Sequence, residues 1–342
     1  MKRYDATYLT EAVEQVLIRC GMKQRHAMLL TSHLIQADAY GVHSHGLAVL
    51  PGHVQRVLRG GYVLDGEIQV VRQTAAFAVI DANNLCGMVS AHDAMALALK
   101  NVEQSGMYAV FSRGGNTFGA AFSYVLKAAA AGKIGIVFCN TPAAMAPWGG
   151  KGKRLGTNPI ACGIPGRRRG PILLDMATSV AAKSKINEIA KTNGTLPHGW
   201  ALDENGVDTT DPHRAICGTV LPMAAHKGYG LATVIDCLSG VLSGAAYLDM
   251  VGKFYTDVPG SCMNVGQSFF VLDPVQILSE DFYLLIDDYI DRLHAAGEEV
   301  RFPGERELNC ARESKQLGIP LAPETVKNLS KLFDTYGVEN HL

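Results

Sequence analysis

Residues Ala37 to Leu50 read ADAYGVHSHGLAVL, with two histidines flanking one serine between Gly41 and Gly46. Three chemistries suit such a triplet. His43 and His45 could hold a metal, but a catalytic metal needs further ligands. His92, His198, His213 and His226 stand apart in the chain, and a helical rather than a strand pattern precedes the triplet, so the metal reading is weak. A proton relay needs only one imidazole, which titrates near neutrality. Ser44 would then orient that ring or bind substrate. The third reading is a polar turn at a helix end, and on these residues alone it is the simplest.

Two further elements could handle a nucleotide. A dinucleotide fold of the usual kind shows a strand, G-x-G-x-x-G and a helix. Gly150, Gly152 and Gly156 miss that spacing by one residue, and the Asn158-Pro159 that follows does not open a helix. An ordinary Rossmann fold is therefore not expected. Gly228 and Gly230 open an apolar helix with Lys227 beside them. Free N–H groups at a helix start plus an ammonium suit a pyrophosphate; a tight helix entry with a solvated lysine explains the same residues equally well. Arg167, Arg168 and Arg169 precede the apolar run PILLDMA. They are either solvated surface or a grip for the 2′-phosphate of NADP.

Helices must position the histidines. Leu9, Ala12, Val13, Val16 and Leu17 recur at helical spacing, and Gly21 closes that segment. A second helix is predicted from about Lys23 to Ala39, stopped by Gly41, and a third from Gly46 towards Gly60. From Ile68 the pattern changes to alternating strands and helices. IQVVRQTAAFAVIDA, MYAVFSR, KIGIVFCN, PILLDMA and QSFFVLD read as strands, and MVSAHDAMALALKNVEQSG, GAAFSYVLKAAAAG and HKGYGLATVIDCLSGVLSG as helices. From Ser279 the chain is helical again. The reading is an α/β protein with a helical domain from residues 1–67 plus 279–342 and a mixed α/β domain from 68–278.

Composition bounds the function. With 342 residues, 48% apolar and 18% charged, the chain can bury a sizeable core. A net charge of -1 and no basic run longer than Arg167–Arg169 argue against a nucleic-acid or membrane partner. No apolar leader and no 18-residue apolar run are present, so a cytoplasmic protein is expected. The eight cysteines form no C-x-x-C pair and read as free thiols in a reducing compartment.

Taken together, ADAYGVHSHGL, DANNLCGMVSAHDAM, PWGGKGKRLGTNP, LLDMATS, LPMAAHKGYGL and RFPGERE resemble, in order and separation, the type 2 malate/L-lactate dehydrogenase family. That group takes in ureidoglycolate and sulfolactate dehydrogenases, 2,3-diketo-L-gulonate reductase and Δ1-piperideine-2-carboxylate reductase. The resemblance covers nearly the whole chain. It implies a non-Rossmann mixed-sheet NAD(P)-binding domain, an intertwined homodimer and a small-molecule substrate. It makes His45 the proton donor or acceptor, with Ser44 as its neighbour in the pocket. It assigns Thr141, Asp175, Met176, Ala177, Lys227, Gly228, Gly304, Glu305 and Arg306 to the cofactor. With Arg167, Arg168 and Arg169, which precede the matched strand without a carboxylate, the reading leans to NADP, NAD being the other option. No metal is implied.

Two positions depart from the family pattern. An arginine usual four residues after the catalytic histidine, able to clamp a carboxylate, is Val49 here. A histidine usual after Asn116 is Thr117. Val49, His53, Asn116 and Thr117 thus form the expected substrate wall, and Arg56, Arg59 and Arg113 are candidates to replace the clamp. The expected reaction moves a hydride between nicotinamide and the carbonyl or imine carbon of a 2-oxo or 2-hydroxy acid or a cyclic imine carboxylate. The alternatives are a reductase for a specialised biosynthetic ketone or imine, and a catalytically weak cofactor-binding homologue.

Overall fold

The first helix begins where the Asp5 carboxylate accepts the N–H of Tyr8, the side-chain cap that an otherwise orphaned first turn requires. A computed structural model describes residues 1–342, the side chain of Ser184 excepted. In chain order the elements are β1 (Lys2–Tyr4), α1 (Ala6–Arg19), α2 (Gln24–Ala39), α3 (Leu50–Leu58), β2 (Gln69–Gln73), β3 (Phe77–Asp81), α4 (Gly87–Ser105) and β4 (Met107–Gly115). Then follow α5 (Phe122–Ala130), β5 (Ile134–Cys139), β6 (Ile160–Ile164), β7 (Ile172–Met176), α6 (Lys183–Lys191), β8 (Ala201–Leu202), α7 (Pro212–Cys217), β9 (Thr219–Val220) and α8 (His226–Asp236). The chain ends with β10 (Val265–Leu272), α9 (Pro274–Ile277), α10 (Asp281–His294), α11 (Glu305–Leu317), β11 (Ile319–Leu321) and α12 (Pro323–Thr335).

The two ends of the chain meet. Strand β1 pairs antiparallel with β11, Lys2 opposite Leu321. Leu9, Val13, Val16 and Leu17 of α1 share one core with Leu30 and Leu34 of α2, Leu47, Leu50 and, from α12, Leu329 and Phe333. Each of these side chains is fully buried, worth roughly 1.5–3 kcal/mol of transfer free energy apiece.

The seven-stranded sheet runs in the order β2-β3-β4-β10-β5-β6-β7. Only the β3–β4 pair is parallel; the pairs β2–β3, β4–β10, β10–β5, β5–β6 and β6–β7 are all antiparallel. A dinucleotide fold of the βαβ type needs parallel neighbours joined by crossovers, so the sheet is of another kind. Phe269, Val110, Val137 and Ile80 of the sheet pack against Ala91, Met95 and Ala98 of α4 and Val125 and Ala128 of α5. The small residues of α4 let that helix lie close on the sheet. A third, smaller core gathers Met145, Leu155, Ile186, Leu196, Ala215 and Val220 around the antiparallel β8–β9 pair.

Three features differ from the pattern read in the sequence. Helix α3 starts at Leu50, after two 3₁₀ turns at His43–His45 and Leu47–Val49. The long helix opened by Gly228 ends at Asp236 and passes into a π-helical turn, Cys237–Val241. Helix α10 lies against the sheet side of the molecule: Tyr283 donates to Gly132 O at 3.0 Å and Asp287 binds the turn before β7. No described helix is long and apolar enough to cross a membrane.

Candidate active site

The histidine triplet forms a 3₁₀ turn because its two ends are tied to one buried carboxylate. Asp38, 2% exposed near the end of α2, contacts His43 Nδ1 through Oδ1 at 2.7 Å and accepts the N–H of Leu47 through Oδ2 at 2.6 Å. Gly46 lies against that carboxylate: a Cβ there would sit 2.3 Å from Asp38 Cγ. Between the two ties, Ser44 and His45 are exposed. Ser44 Oγ lies 2.9 Å from His45 Nδ1. The His45 ring reaches solvent, yet the protein around it desolvates the imidazolium and lowers its pKa below the ordinary 6.5.

Short contacts connect this turn to the end of the sheet. Tyr40, the residue after α2, packs on Phe122 with ring centroids 5.1 Å apart. The N–H of Phe122, at the start of α5, donates to Asp175 Oδ2 at 2.8 Å. Asp175 is solvent-accessible near the end of β7. Desolvation outweighs the backbone N–H donors of Phe122 and Ala121 and pushes its carboxyl up to about 6. Helix α2 docks on the same loop through His33, whose Nε2 accepts the N–H of Ala120 at 2.9 Å. Burial lowers the His33 pKa to about 3, so the ring is neutral there.

Beyond Asp175 the backbone knits the remaining candidates together. Thr178 N–H donates to Thr157 O, Met223 N–H donates to Thr178 O, and Gly228 N–H donates to Met223 O. Gly228 at the start of α8 is thus linked through Met223 to Thr178, the residue after Ala177. A Cβ at Gly228 would sit 2.2 Å from Met223 O, so glycine is required for this close approach. Ala224 and Ala225 immediately before have φ of 46° and 60°, a conformation that costs of order 1–3 kcal/mol outside glycine and concentrates at functional sites. Thr141 follows β5, and its N–H donates to Asn158 Oδ1 at 3.0 Å. Asn140 beside it is fixed by Asp236, Ala246 O and the N–H of Gly266.

The Gly304–Arg306 segment flanks β7 two residues upstream. Leu173 N–H donates to Pro303 O at 2.8 Å, and a Cβ at Gly304 would sit 2.6 Å from Leu173 Cβ. Gly304 has φ +89°, a left-handed conformation that glycine adopts without strain. Glu305 does not face outward: its Oε2 lies 3.0 Å from His294 Nε2 and accepts the N–H of Phe302. Arg306 is exposed, with Glu307 3.5 Å away.

The three arginines sit on the β6–β7 turn. Asp287 accepts the backbone N–H groups of Arg167, Arg168 and Arg169, and Asp291 one turn later pairs with the guanidinium groups of Arg168 and Arg169. Arg167 is exposed. Arg169 and Asp175 are separated by Gly170, which has a φ of 85°, and by Ile172–Leu174 of β7.

On the substrate wall the structure separates the candidates. Val49, half-buried, packs against the helical core. Thr117 is half-buried, and its carbonyl presses on Gly87, where a Cβ would sit 2.1 Å away. His53 is 1% exposed, held by Tyr62 Oη at 2.9 Å, and burial together with Arg56 lowers its pKa to about 3. Asn116 is fully buried between Arg56, Asn84 and Leu85 O. His53 and Asn116 are thus engaged by polar groups of the protein itself. Arg56 is 4% exposed and bonds Asn116 Oδ1, Phe254 O and Ser261 O. Arg59 is paired with Asp257 and Arg113 with Asp81. Among the described residues no group of three or more His, Cys, Asp or Glu is placed to hold a metal. Sequence reasoning passed over Asp38, Asn140, Asn158, Asp287 and Asp291, whose short polar side chains look like ordinary loop and helix residues until their partners are known.

Two observations bear on a bound nicotinamide cofactor. The Thr141 hydroxyl is buried without a partner among the described residues, a cost that a ligand's polar group would remove. Gly156 leaves its Cβ space to that hydroxyl, 2.3 Å away, so the strand end is shaped around Thr141.

Residues 4–330 match the model of the malate/L-lactate dehydrogenase family. Malate/(S)-sulfolactate dehydrogenase of Methanothermus fervidus is 33% identical over 326 residues, 95% of each chain. Ureidoglycolate dehydrogenase (NAD(+)) of Escherichia coli O157:H7 is 36% identical over 94% of this chain and 93% of its own. The crystal structure of Δ1-piperideine-2-carboxylate reductase from Pseudomonas syringae superposes with a TM-score of 0.90 at 26% identity, covering 97% of this chain and 100% of the other. The chain belongs to the malate/L-lactate dehydrogenase family and is a nicotinamide-dependent oxidoreductase.

Proposed function

We propose that His45 exchanges the proton while a hydride moves between the nicotinamide and the carbonyl or imine carbon of a small 2-oxo acid, 2-hydroxy acid or cyclic imine carboxylate. The observation that carries this reading is the isolated Ser44–His45 pair, exposed on a turn whose other residues are tied down. With Nδ1–H donating to Ser44 Oγ, Nε2 is left free for the substrate oxygen or nitrogen. The lowered pKa makes neutral imidazole the resting form at neutral pH, ready to accept a proton in the oxidative direction. In the reductive direction the imidazolium donates. The cofactor supplies or takes the hydride when bound. Thr141, Asp175–Ala177, Lys227 and Gly228 are the residues we assign to holding it, with the Gly304–Arg306 segment packing beside them. The Asp175 carboxylate suits ribose hydroxyls, and Lys227 suits a pyrophosphate.

Cofactor choice turns on the arginine turn. Asp291 pairs with both Arg168 and Arg169 and offsets part of their positive charge, which weakens their pull on a 2′-phosphate. We therefore expect the enzyme to use NADH as well as NADPH. Val49 stands where the family usually has a carboxylate clamp, so a substrate carboxylate needs another partner here. The segment 234–250 exposes Val234, Val241, Leu242 and Met250. Such a patch supports a second copy covering it, and we place the enzyme in the cytoplasm as a homodimer. The test is oxidation of NADH and NADPH against a panel of 2-oxo acids and cyclic imine carboxylates, with sedimentation on the same sample. Binding of both cofactors without turnover of any panel member would contradict the reading.

A further inference from the structure

The His45 turn is held by a residue that touches neither of its exposed side chains. Asp38 bonds one residue on each side of the Ser44–His45 pair: His43 through Oδ1 at 2.7 Å and the backbone of Leu47 through Oδ2 at 2.6 Å. Its side chain is 3% exposed, so its carboxylate is turned away from bulk water. Gly46, next to His45, lies so close that any Cβ would fall 2.3 Å from Asp38 Cγ. The carboxylate thus fills the space inside the turn and fixes its three flanking residues. A short peptide with glycine on each side, Gly41 and Gly46, would otherwise be free to move.

We propose that Asp38 is the positioning residue for His45: it sets where the imidazole stands, and it does so only through the turn. The proposal rests on the reading that His45 moves the proton. A displacement of about 1 Å in a reacting group can cost on the order of 10²-fold in rate. Removing a residue that acts solely through another has no further effect once that other residue is gone.

The experiment is a double-mutant cycle on the full-length enzyme with Asp38→Ala, His45→Ala and the pair, assayed with the panel substrate turned over fastest. Asp38→Ala is expected to lower kcat about 10²-fold in the wild-type background and less than about threefold in the His45→Ala background. Cofactor Kd is expected to stay within about twofold throughout. Equal losses in both backgrounds, or a loss appearing chiefly in cofactor Kd, would show a general structural role and overturn the proposal. Should Asp38→Ala fail to fold, His43→Ala removes one tie and keeps the buried carboxylate. Its expected loss is roughly three- to tenfold in wild type and none with His45→Ala; equal losses again overturn it. A fully active His45→Ala enzyme would overturn the functional reading as well, an outcome distinct from equal losses on an impaired one.

Discussion

Ser44 Oγ stands 2.9 Å from Nδ1 of its chain neighbour His45, the ring's one polar partner among the described residues. A neutral hydrogen bond of this kind is worth about 0.5–1.5 kcal/mol net. Ser44→Ala should therefore reduce kcat by roughly three- to tenfold, with Ser44→Thr recovering part of the loss. Steady-state kinetics at fixed saturating cofactor measures it. An unchanged kcat in Ser44→Ala would mean that the ring needs no orientation.

Asp175 gives a pH prediction whose sign follows from its environment. Its carboxyl is pushed up to about 6, above the ordinary 3.8, first by desolvation. The folded state then holds a proton that the unfolded chain has lost, so this group's contribution to stability is fully present below pH 3.8. It is lost as the pH rises through about 6. Asp175→Asn should show a flatter change of melting temperature between pH 4 and 6 than wild type. Cofactor affinity in wild type should weaken as the pH falls below about 6, where the carboxylate becomes neutral, and the variant should lack that dependence. Parallel pH curves for the two proteins would remove Asp175 from the cofactor site.

The pairing of Arg168 and Arg169 with Asp291 predicts small effects from either arginine. Exposed ion pairs are typically worth 0–1 kcal/mol. Arg168→Ala and Arg169→Ala should each leave the NADPH-to-NADH affinity ratio within about threefold. Asp291→Ala frees both guanidinium groups, and a rise of the ratio by tenfold or more would place the turn at the 2′-phosphate. A tenfold fall in the ratio for Arg168→Ala in the wild-type background would contradict the pairing account.

Gly304 combines a left-handed φ of +89° with a Cβ space 2.6 Å from Leu173 Cβ. Gly304→Ala must both strain the backbone and push the loop off β7. A loss of about 1–3 kcal/mol in stability is expected, with weaker cofactor binding than in wild type. Thermal melts and cofactor titration measure the two effects. A variant as stable as wild type would mean that the loop is not seated on the strand.

Much of this was legible in the sequence, for physical reasons that vary by element. The apolar stripe of α1, from Leu9 to Leu17, and the alternation of β3 and β5 carry periodicities that burial enforces. The failed glycine spacing around Gly150 argues against a βαβ dinucleotide fold, and the mostly antiparallel sheet agrees. Helix α11 has no comparable stripe: ERELNCARESKQL is polar on most sides, and only Ser314 is buried. Helix α10 looks like part of the terminal helical layer because chain order suggests it, but its Asp287 and Tyr283 bond the sheet side. In the site, His53 and Asn116 carry polar groups suited to a substrate, and nothing local shows that Tyr62 and Arg56 occupy them. Asp38 stands five residues before His43 in an apolar helix. Its role depends on a glycine contact that pattern alone does not display.

His45 carries the central claim, and its pH dependence tests it most directly. Desolvation lowers its pKa below 6.5, so neutral imidazole dominates at pH 7. For the free enzyme, kcat/KM in the oxidative direction should fall as the pH drops through that pKa, and in the reductive direction it should fall as the pH rises through it. His45→Ala should lose about 10²- to 10⁴-fold in kcat, keep wild-type affinity for the reduced cofactor, and lose both limbs of the pH profile. Measuring kcat/KM against pH in both directions for wild type and His45→Ala decides the matter. An active His45→Ala enzyme retaining the wild-type pH profile would contradict the account.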